Sequence, residues 1–283
     1  MEKNNSLLIM AAGASSRMKQ SLESSSLGPS VKNKAQKLHK SLIPLGPKGE
    51  PLLYYLINNA YQAGYNSIYL ITSEENQSFK EYLNQWKQKG YFTAIKFYFA
   101  PQSIPEGREK PLGTADAVKQ ALMQYPELRK TTFTVCNGDN LYSSHVFERL
   151  ATPRNVPHAL ISYARSGLRF SDERISKFAV MHIDSSGFLK EIIEKPDPSE
   201  VEQYRDQSGE LRVSMNIFSF NGGLLYPYLV KCPLHPQRDE KELPEALRLL
   251  NQAAPQQVVC LPVKEHLPDL TSAEDISIFS KEF

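Results

Sequence analysis

Leu7-Leu8-Ile9-Met10-Ala11-Ala12-Gly13-Ala14-Ser15-Ser16-Arg17-Met18 joins five apolar residues to a run of small ones and closes on an arginine. The apolar run reads as a strand leading straight into a small-residue turn. The residues Ala11, Ala12, Gly13, Ala14 and Ser15 are small enough for backbone N–H groups to approach an anion, and Gly13 has access to dihedrals closed to other residues. Arg17 then offers a planar fork of donors suited to phosphate. The segment therefore reads as a strand running into a phosphate cradle. A plain strand-to-helix turn with a surface arginine is the competing reading of these residues alone.

Outward from this stretch, short β-rich runs alternate with longer amphipathic ones: Leu52–Ala63, Ser67–Thr72, Asn76–Lys89, Ile95–Phe99, Thr114–Met123 and Thr132–Cys136. Leu53, Leu56, Ile57, Ala60 and Tyr61 recur at helical spacing, whereas Ile68-Tyr69-Leu70-Ile71 is continuous and apolar. This is the punctuation of a doubly wound α/β unit. Beyond about residue 155 the strands come closer together, at His158–Arg165, Phe178–Ile183, Leu189–Glu194, Val213–Phe220 and Val258–Val263, with Asp184-Ser185-Ser186-Gly187 as a hairpin turn. That half reads as mixed or antiparallel. Helices are expected at Gly222–Lys231, Lys241–Asn251 and Ser272–Lys281. No linker rich in glycine or proline separates the halves, so residues 1–283 are expected to form one domain, with halves of about 1–155 and 156–283.

Residues 19–39 are rich in serine and lysine and poor in apolar side chains, which predicts a mobile excursion, either a lid over the cradle or a solvated loop.

Composition narrows the function classes. Of the 283 residues, 41% are hydrophobic and 23% charged, as in an ordinary soluble globular protein. A net charge of +2 gives no field suited to nucleic acid or an anionic membrane, so neither is expected as a partner. Cys136, Cys232 and Cys260 are far apart and lack zinc-ligand spacing, so they read as core thiols. No apolar run reaches the roughly 20 residues of a membrane span, and no signal-like segment stands at the start. A cytoplasmic location is expected.

Three further motifs bear on chemistry. The strand Thr132–Cys136 ends in Asn137-Gly138-Asp139-Asn140, which sets Asp139 at the carboxyl edge of the sheet, where α/β proteins bind ligands. A carboxylate there suits a divalent ion shared with phosphate oxygens, and it equally suits a turn cap. Lys110-Pro111-Leu112-Gly113-Thr114-Ala115-Asp116-Ala117 opens a helix, with Gly113 for close approach, Thr114 and Asp116 for capping or ligand contact, and small alanines beside a flat group. Glu191-Ile192-Ile193-Glu194-Lys195-Pro196 ends a strand with one carboxylate and one ammonium, which fit a sugar hydroxyl and a phosphate or a solvated strand end.

Taken in order, AAGASSRM, HKSLIPLGPKGEPLLYYLINNAYQAG, PLGTADAV, CNGDN, IIEKP, VSMNIFSF and LPDLTSAEDI resemble the sugar-1-phosphate nucleotidyltransferases, the nucleoside-diphosphate-sugar pyrophosphorylases. The resemblance runs from Leu7 to Ile276. It implies a three-layer, doubly wound, mixed and mostly parallel sheet of the Rossmann-like nucleotide-diphospho-sugar transferase type. It also implies condensation of a nucleoside triphosphate with a sugar 1-phosphate or related phosphorylated alcohol, with Mg²⁺ as cofactor.

Residue by residue, the resemblance implies that Ala11, Ala12, Gly13, Ala14, Ser15, Gly113, Thr114 and Asp116 bind the nucleotide. Arg17, Lys40 and Lys195 act on phosphate, Asp139 and Asp269 hold the metal, and Glu194, Lys195 and Asn216 receive the sugar phosphate. The chain departs from the family pattern at His39, where proline usually precedes the lysine, and at Ala179, Asn216 and Thr271, where glycine is usual. The rival functions are a nucleotide-sugar-dependent glycosyltransferase, which gives Arg17 and Lys40 no task, and a silent nucleotide-sugar-binding module, against which the retained Arg17, Asp139, Lys195 and Asp269 speak.

Overall fold

A computed structural model describes residues 3–194, 196, 197 and 199–282. In chain order the elements are β1 (Ser6–Ala11), α1 (Ser16–Leu22), α2 (Pro29–Lys37), α3 (Leu52–Gln62), β2 (Ser67–Thr72), α4 (Gln77–Gln88), β3 (Lys96–Pro101), α5 (Thr114–Gln124), β4 (Thr132–Asn137), α6 (Ser144–Ala151), β5 (His158–Ala164), α7 (Asp172–Ile175), β6 (Val180–Ile183), β7 (Leu189–Ile193), β8 (Arg212–Asn221), α8 (Gly222–Lys231), α9 (Leu243–Ala253), β9 (Val258–Val263) and α10 (Ala273–Glu282).

The main path of the sheet is β3-β2-β1-β4-β8-β5-β9. Strands β3, β2, β1 and β4 pair in parallel, as do β5 and β9, while β8 runs antiparallel to both β4 and β5. The β6–β7 hairpin branches off through the pairing of Val180 with Val213. The mixed, mostly parallel sheet expected from the sequence is therefore present.

Each strand of the parallel block sends alternate side chains to opposite faces, so β1 places Leu7 and Ile9 in one core and Leu8 in the other. The first core lies under α3, α6 and α10, and the second under α5, α8 and α9. Both cores draw residues from both halves of the chain: Leu56 and Phe279 share one, Val118 and Leu247 the other. Full burial of one such leucine or isoleucine is worth about 1.5–3 kcal/mol, so the layers are held by their apolar faces.

The 19–39 segment departs from its expectation. It forms the end of α1 and all of α2, with Leu22 and Ala35 buried and Leu27, Val31 and Leu38 resting on the core. Its few apolar residues recur every three to five positions and so share a face, which composition alone conceals. Ser21 Oγ accepts the Ala273 backbone N–H at 2.8 Å, tying α1 to the start of α10. The segment is a helical pair joined to the core rather than a loose loop.

Candidate active site

The carboxyl ends of β1 and β4 meet at one rim because Met10 pairs with Asn137 in the parallel register. Gly138 N–H donates to the Met10 carbonyl at 2.9 Å, and a Cβ at Gly138 would itself lie 2.9 Å from that oxygen. Only glycine lets the turn after β4 lie this close to β1. Across the rim, the turn after β1 bends at Ser15, which takes the left-handed conformation (φ 56°, ψ 29°). The sequence assigned that freedom to Gly13. Gly13 instead has negative-side or extended geometry and open space where a side chain would stand, which leaves its backbone accessible.

A second turn is fastened to the first. Lys40 N–H donates to Ser15 Oγ at 3.2 Å. His39 Nδ1 accepts the Ser41 backbone N–H at 3.2 Å and lies 2.8 Å from Ser41 Oγ, while the ring also hydrogen-bonds the backbone of Gly13. Burial lowers the His39 pKa to about 4 despite the opposing pull of Asp139, so the ring is neutral at ordinary pH and joins the two turns. Lys40 Nζ is paired with Asp139 Oδ2.

Asp269 arrives from the far end of the chain. Leu270 N–H donates to the Asp139 carbonyl at 2.8 Å and Leu141 N–H to the Pro268 carbonyl at 2.9 Å, with Asn140 and Asp269 bridged between them. Backbone pairing thus places the two predicted metal ligands side by side. Burial and the neighbouring Asp139 charge raise the Asp269 pKa, opposed by hydrogen bonds from Arg174 and Thr271. Asp139 Oδ1 and Asp269 Oδ1 have no hydrogen-bond partner among the described residues, while each Oδ2 is engaged. Two adjacent carboxylates, each with an oxygen to spare, are hard donors that fit Mg²⁺ completed by water and phosphate. Among the described residues no group of three or more histidine, cysteine or acidic side chains is gathered for a metal.

Between these turns and α5 lies a cleft of about 460 Å³, lined by Gly13, Arg17, Lys40, Lys110, Thr114 and Asp139 among others. Arg17 is exposed and has no ion-pair partner among the described residues. It also borders an adjoining chamber of about 330 Å³ that contains Glu194, Asn216, Arg238 and Glu240. Gly13, Lys40 and Asp139 thus border one cavity and Glu194 and Asn216 the adjoining one, with Arg17 common to both, while Asp269 lines neither. Asn216 lies within β8 with φ 54°, a conformation ordinarily left to glycine.

Two expectations change. The Asp116 carboxylate does not line the cleft: it is 2% exposed, paired with Lys119 Nζ at 2.6 Å and bonded to Gln120 at 2.7 Å. Its position in the first helical turn points it along α5 rather than at the rim. Thr114 Oγ1 does border the cleft, but it accepts the Leu243 N–H at 2.8 Å and so caps α9, while Ala115 N–H is taken by the Lys241 carbonyl. Lys195 lies outside the described residues.

The structure adds residues that motif reading passed over. Buried Gln102, just beyond β3, donates to the Gly113 carbonyl at 3.0 Å and borders the cleft. Arg238 and Glu240 come from residues 233–242, where no regular pattern marks a site; the Arg108–Asp239 ion pair at 2.7 Å holds that segment against the 102–113 loop.

Comparison with known proteins identifies the family. Residues 35–265 match the family model described as Nucleotidyl transferase. Over 252 residues the chain is 27% identical to the bifunctional protein GlmU of Staphylococcus haemolyticus (strain JCSC1435), covering 88% of this chain and 46% of that protein. The GlmU of Staphylococcus carnosus (strain TM300) is 26% identical over 245 residues, with 86% and 44% covered. The chain thus spans about half the length of the curated relatives it matches. A crystal structure of UDP-glucose pyrophosphorylase complexed with UDP-glucose superimposes with a TM-score of 0.71 at 17% identity, covering 100% of this chain and 98% of that one. A putative glucose-1-phosphate thymidylyltransferase from Bacillus anthracis gives 0.67 at 17% identity, covering 98% and 94%. At these identities the likeness is one of fold.

Proposed function

The chain belongs to the nucleotidyl transferase family, and from that premise we propose that it condenses a nucleoside triphosphate with a sugar 1-phosphate, or a related phosphorylated alcohol, to give a nucleoside-diphosphate sugar and pyrophosphate. The observation that carries this reading is the exposed Arg17 at the junction of two chambers, one bordered by the small-residue turn, Lys40 and Asp139, the other by Glu194 and Asn216.

A phosphate oxygen of the acceptor attacks the α-phosphorus of the triphosphate in line. One P–O bond forms, the α–β phosphoanhydride bond breaks, and the electron pair leaves with pyrophosphate. Both reactants are anions, so the protein's task is to bring them together and to neutralise charge on the leaving group. The backbone of Ala11–Ser15 and the Gly113–Thr114 segment hold the nucleotide. Arg17 stabilises the departing pyrophosphate, Lys40 leaves Asp139 to hold phosphate, and Lys195 screens the incoming anion. Glu194 and Asn216 position the acceptor. Asp139 and Asp269 would hold Mg²⁺, which would supply positive charge beside the phosphates.

Among the described residues no helix is long and apolar enough to cross a membrane, and the three cysteines are buried and unpaired. Free buried thiols suit a reducing compartment, and we place the reaction in the cytoplasm.

The test is to incubate the protein with Mg²⁺, each common nucleoside triphosphate and a panel of sugar 1-phosphates and phosphorylated alcohols, then identify the nucleotide product. Formation of a nucleoside-diphosphate conjugate supports the reading. Transfer of sugar from a ready-made nucleotide sugar, or nucleotide binding without turnover across the panel, overturns it.

A further inference from the structure

Asp269 is not left to orient itself. Arg174, in α7, donates through Nη2 to Asp269 Oδ2 at 2.7 Å and to the Asp269 carbonyl at 3.1 Å, and through Nη1 to Asp275 Oδ1 at 2.7 Å. Its guanidinium carbon lies 4.4 Å from the centre of the Phe170 ring, which fixes the plane of the fork. Thr271 Oγ1 donates to the same Asp269 Oδ2 at 2.8 Å. Asp275 Oδ2 in turn accepts the backbone N–H groups of Thr271 at 2.8 Å and Ser272 at 2.7 Å. One arginine therefore spans a carboxylate at the rim and the carboxylate that caps the following helix, while the hydroxyl at 271 completes the grip on a single oxygen.

The result is directional. Both side-chain donors converge on Oδ2 and leave Oδ1 without a partner among the described residues. A carboxylate with one oxygen doubly bonded cannot rotate without breaking both contacts, and its other oxygen is presented in one direction. Thr271 stands where the family pattern has glycine, which has no side chain to do this.

We propose that Arg174 and Thr271 are positioning residues that lock Asp269 through Oδ2 and present Oδ1 to a divalent cation. The inference rests on the assignment of Asp269 as a metal ligand in the function proposed above.

Removing Arg174 outright would change the charge around the cation as well as the orientation of its ligand, so the informative variants conserve charge. Arg174→Lys keeps the positive charge but cannot span both carboxylates with a planar fork. Thr271→Val keeps size and charge and removes one donor. Binding of Mn²⁺ alone, followed by loss of the free-ion electron paramagnetic resonance signal, reads affinity without turnover. Loss of an outer hydrogen-bond partner typically weakens metal binding by about 10- to 100-fold. We expect that range for Arg174→Lys and about tenfold for Thr271→Val, with Lys177→Gln, on the exposed flank of the same segment, at the wild-type value. Under steady-state assay the Mg²⁺ requirement of Arg174→Lys should rise while the acceptor KM stays level.

Wild-type Mn²⁺ affinity in both charge-conserving variants would overturn the proposal and leave the nucleotidyltransferase reading standing. Equal Mn²⁺ binding by the wild type and Asp269→Asn would remove Asp269 from the metal site, and this proposal with it. If Arg174→Lys does not fold, Thr271→Val decides.

Discussion

The two ends of the cleft are built differently. On the small-residue side, Gly138 N–H binds the β4 turn to the Met10 carbonyl of β1, Leu270 N–H binds the segment carrying Asp269 to the Asp139 carbonyl, and the Lys40 N–H is fixed to Ser15 Oγ. Toward the other chamber, β8 runs against its neighbours, Asn216 takes a left-handed conformation within it, and the β6–β7 hairpin meets it through one pairing. The 233–242 segment there is tied at Lys241 by main-chain bonds to Leu112 and Ala115, while its outer part rests on partly exposed ion pairs such as Arg108–Asp239, with Arg238 lying 3.7 Å from Glu194. In the proposed reaction, phosphate would thus be met by a rim set largely by backbone, and the acceptor by a region where exposed side-chain pairs take a larger share. Exposed ion pairs weaken as salt is added, whereas a main-chain lattice does not.

That contrast can be broken most severely at Asp139. Asp139→Ala should lower kcat by about 100- to 1,000-fold, the usual cost of one preorganised electrostatic contact, with the melting temperature near that of the wild type. A change below tenfold would mean that the rim does not carry the chemistry.

Next in size is a pH effect on stability, from one histidine at the rim and one at the opposite edge of the sheet. His39 and His158 are buried, the latter against Phe220 at 5.7 Å and lowered further by Arg154, and each has its pKa lowered from 6.5 to about 4. Below pH 6.5 the unfolded chain takes up protons that the native rings refuse, so stability present above that pH is lost as pH falls toward 4. Each ring accounts for about 3 kcal/mol over this window by linkage. Urea unfolding at pH 7 and pH 4.5 should show the loss, and His158→Phe should remove about half of it.

Gly113 sharpens the comparison where the ends meet. It has φ 102°, and an added Cβ would lie 2.5 Å from the Lys241 carbonyl. Gly113→Ala should cost about 1–3 kcal/mol of stability, measured by denaturant midpoint, through backbone strain at this position. Arg238→Ala should raise the acceptor KM by about tenfold, the loss of one charged contact, and leave the triphosphate KM within about twofold. The smallest kinetic effect is expected for Asp116→Asn. Because that carboxylate is committed to Lys119 and Gln120, the triphosphate KM should stay within about twofold, while stability falls by about 1–3 kcal/mol, as on disturbing a buried polar pair.

The same division governs what the sequence disclosed. Continuous apolar strands such as Ile68–Ile71, followed by turn residues at fixed positions, announce a parallel sheet and its carboxyl rim, and so place Arg17 and Asp139. Ends of elements were less legible: β3 runs on to Pro101 and delivers Gln102 to the cleft three residues beyond the expected strand end at Phe99. Composition misled at 19–39, where a sparse apolar face suffices for two helices against a ready core. It also gave no reason to link Arg174 with Asp269, 95 residues apart, because only the fold brings α7 to the rim. Asp116 looked like a ligand residue because a helix start suits both capping and binding; its i+3 and i+4 neighbours claimed it.

The most direct test of one cleft with two ends is pyrophosphate release by the wild type and Arg17→Ala, each with triphosphate alone and with triphosphate plus acceptor. Release should require both reactants, match the conjugate formed mole for mole, and fall by about 100- to 1,000-fold in the variant. Release without acceptor, or release that Arg17→Ala leaves unchanged, would contradict the shared site.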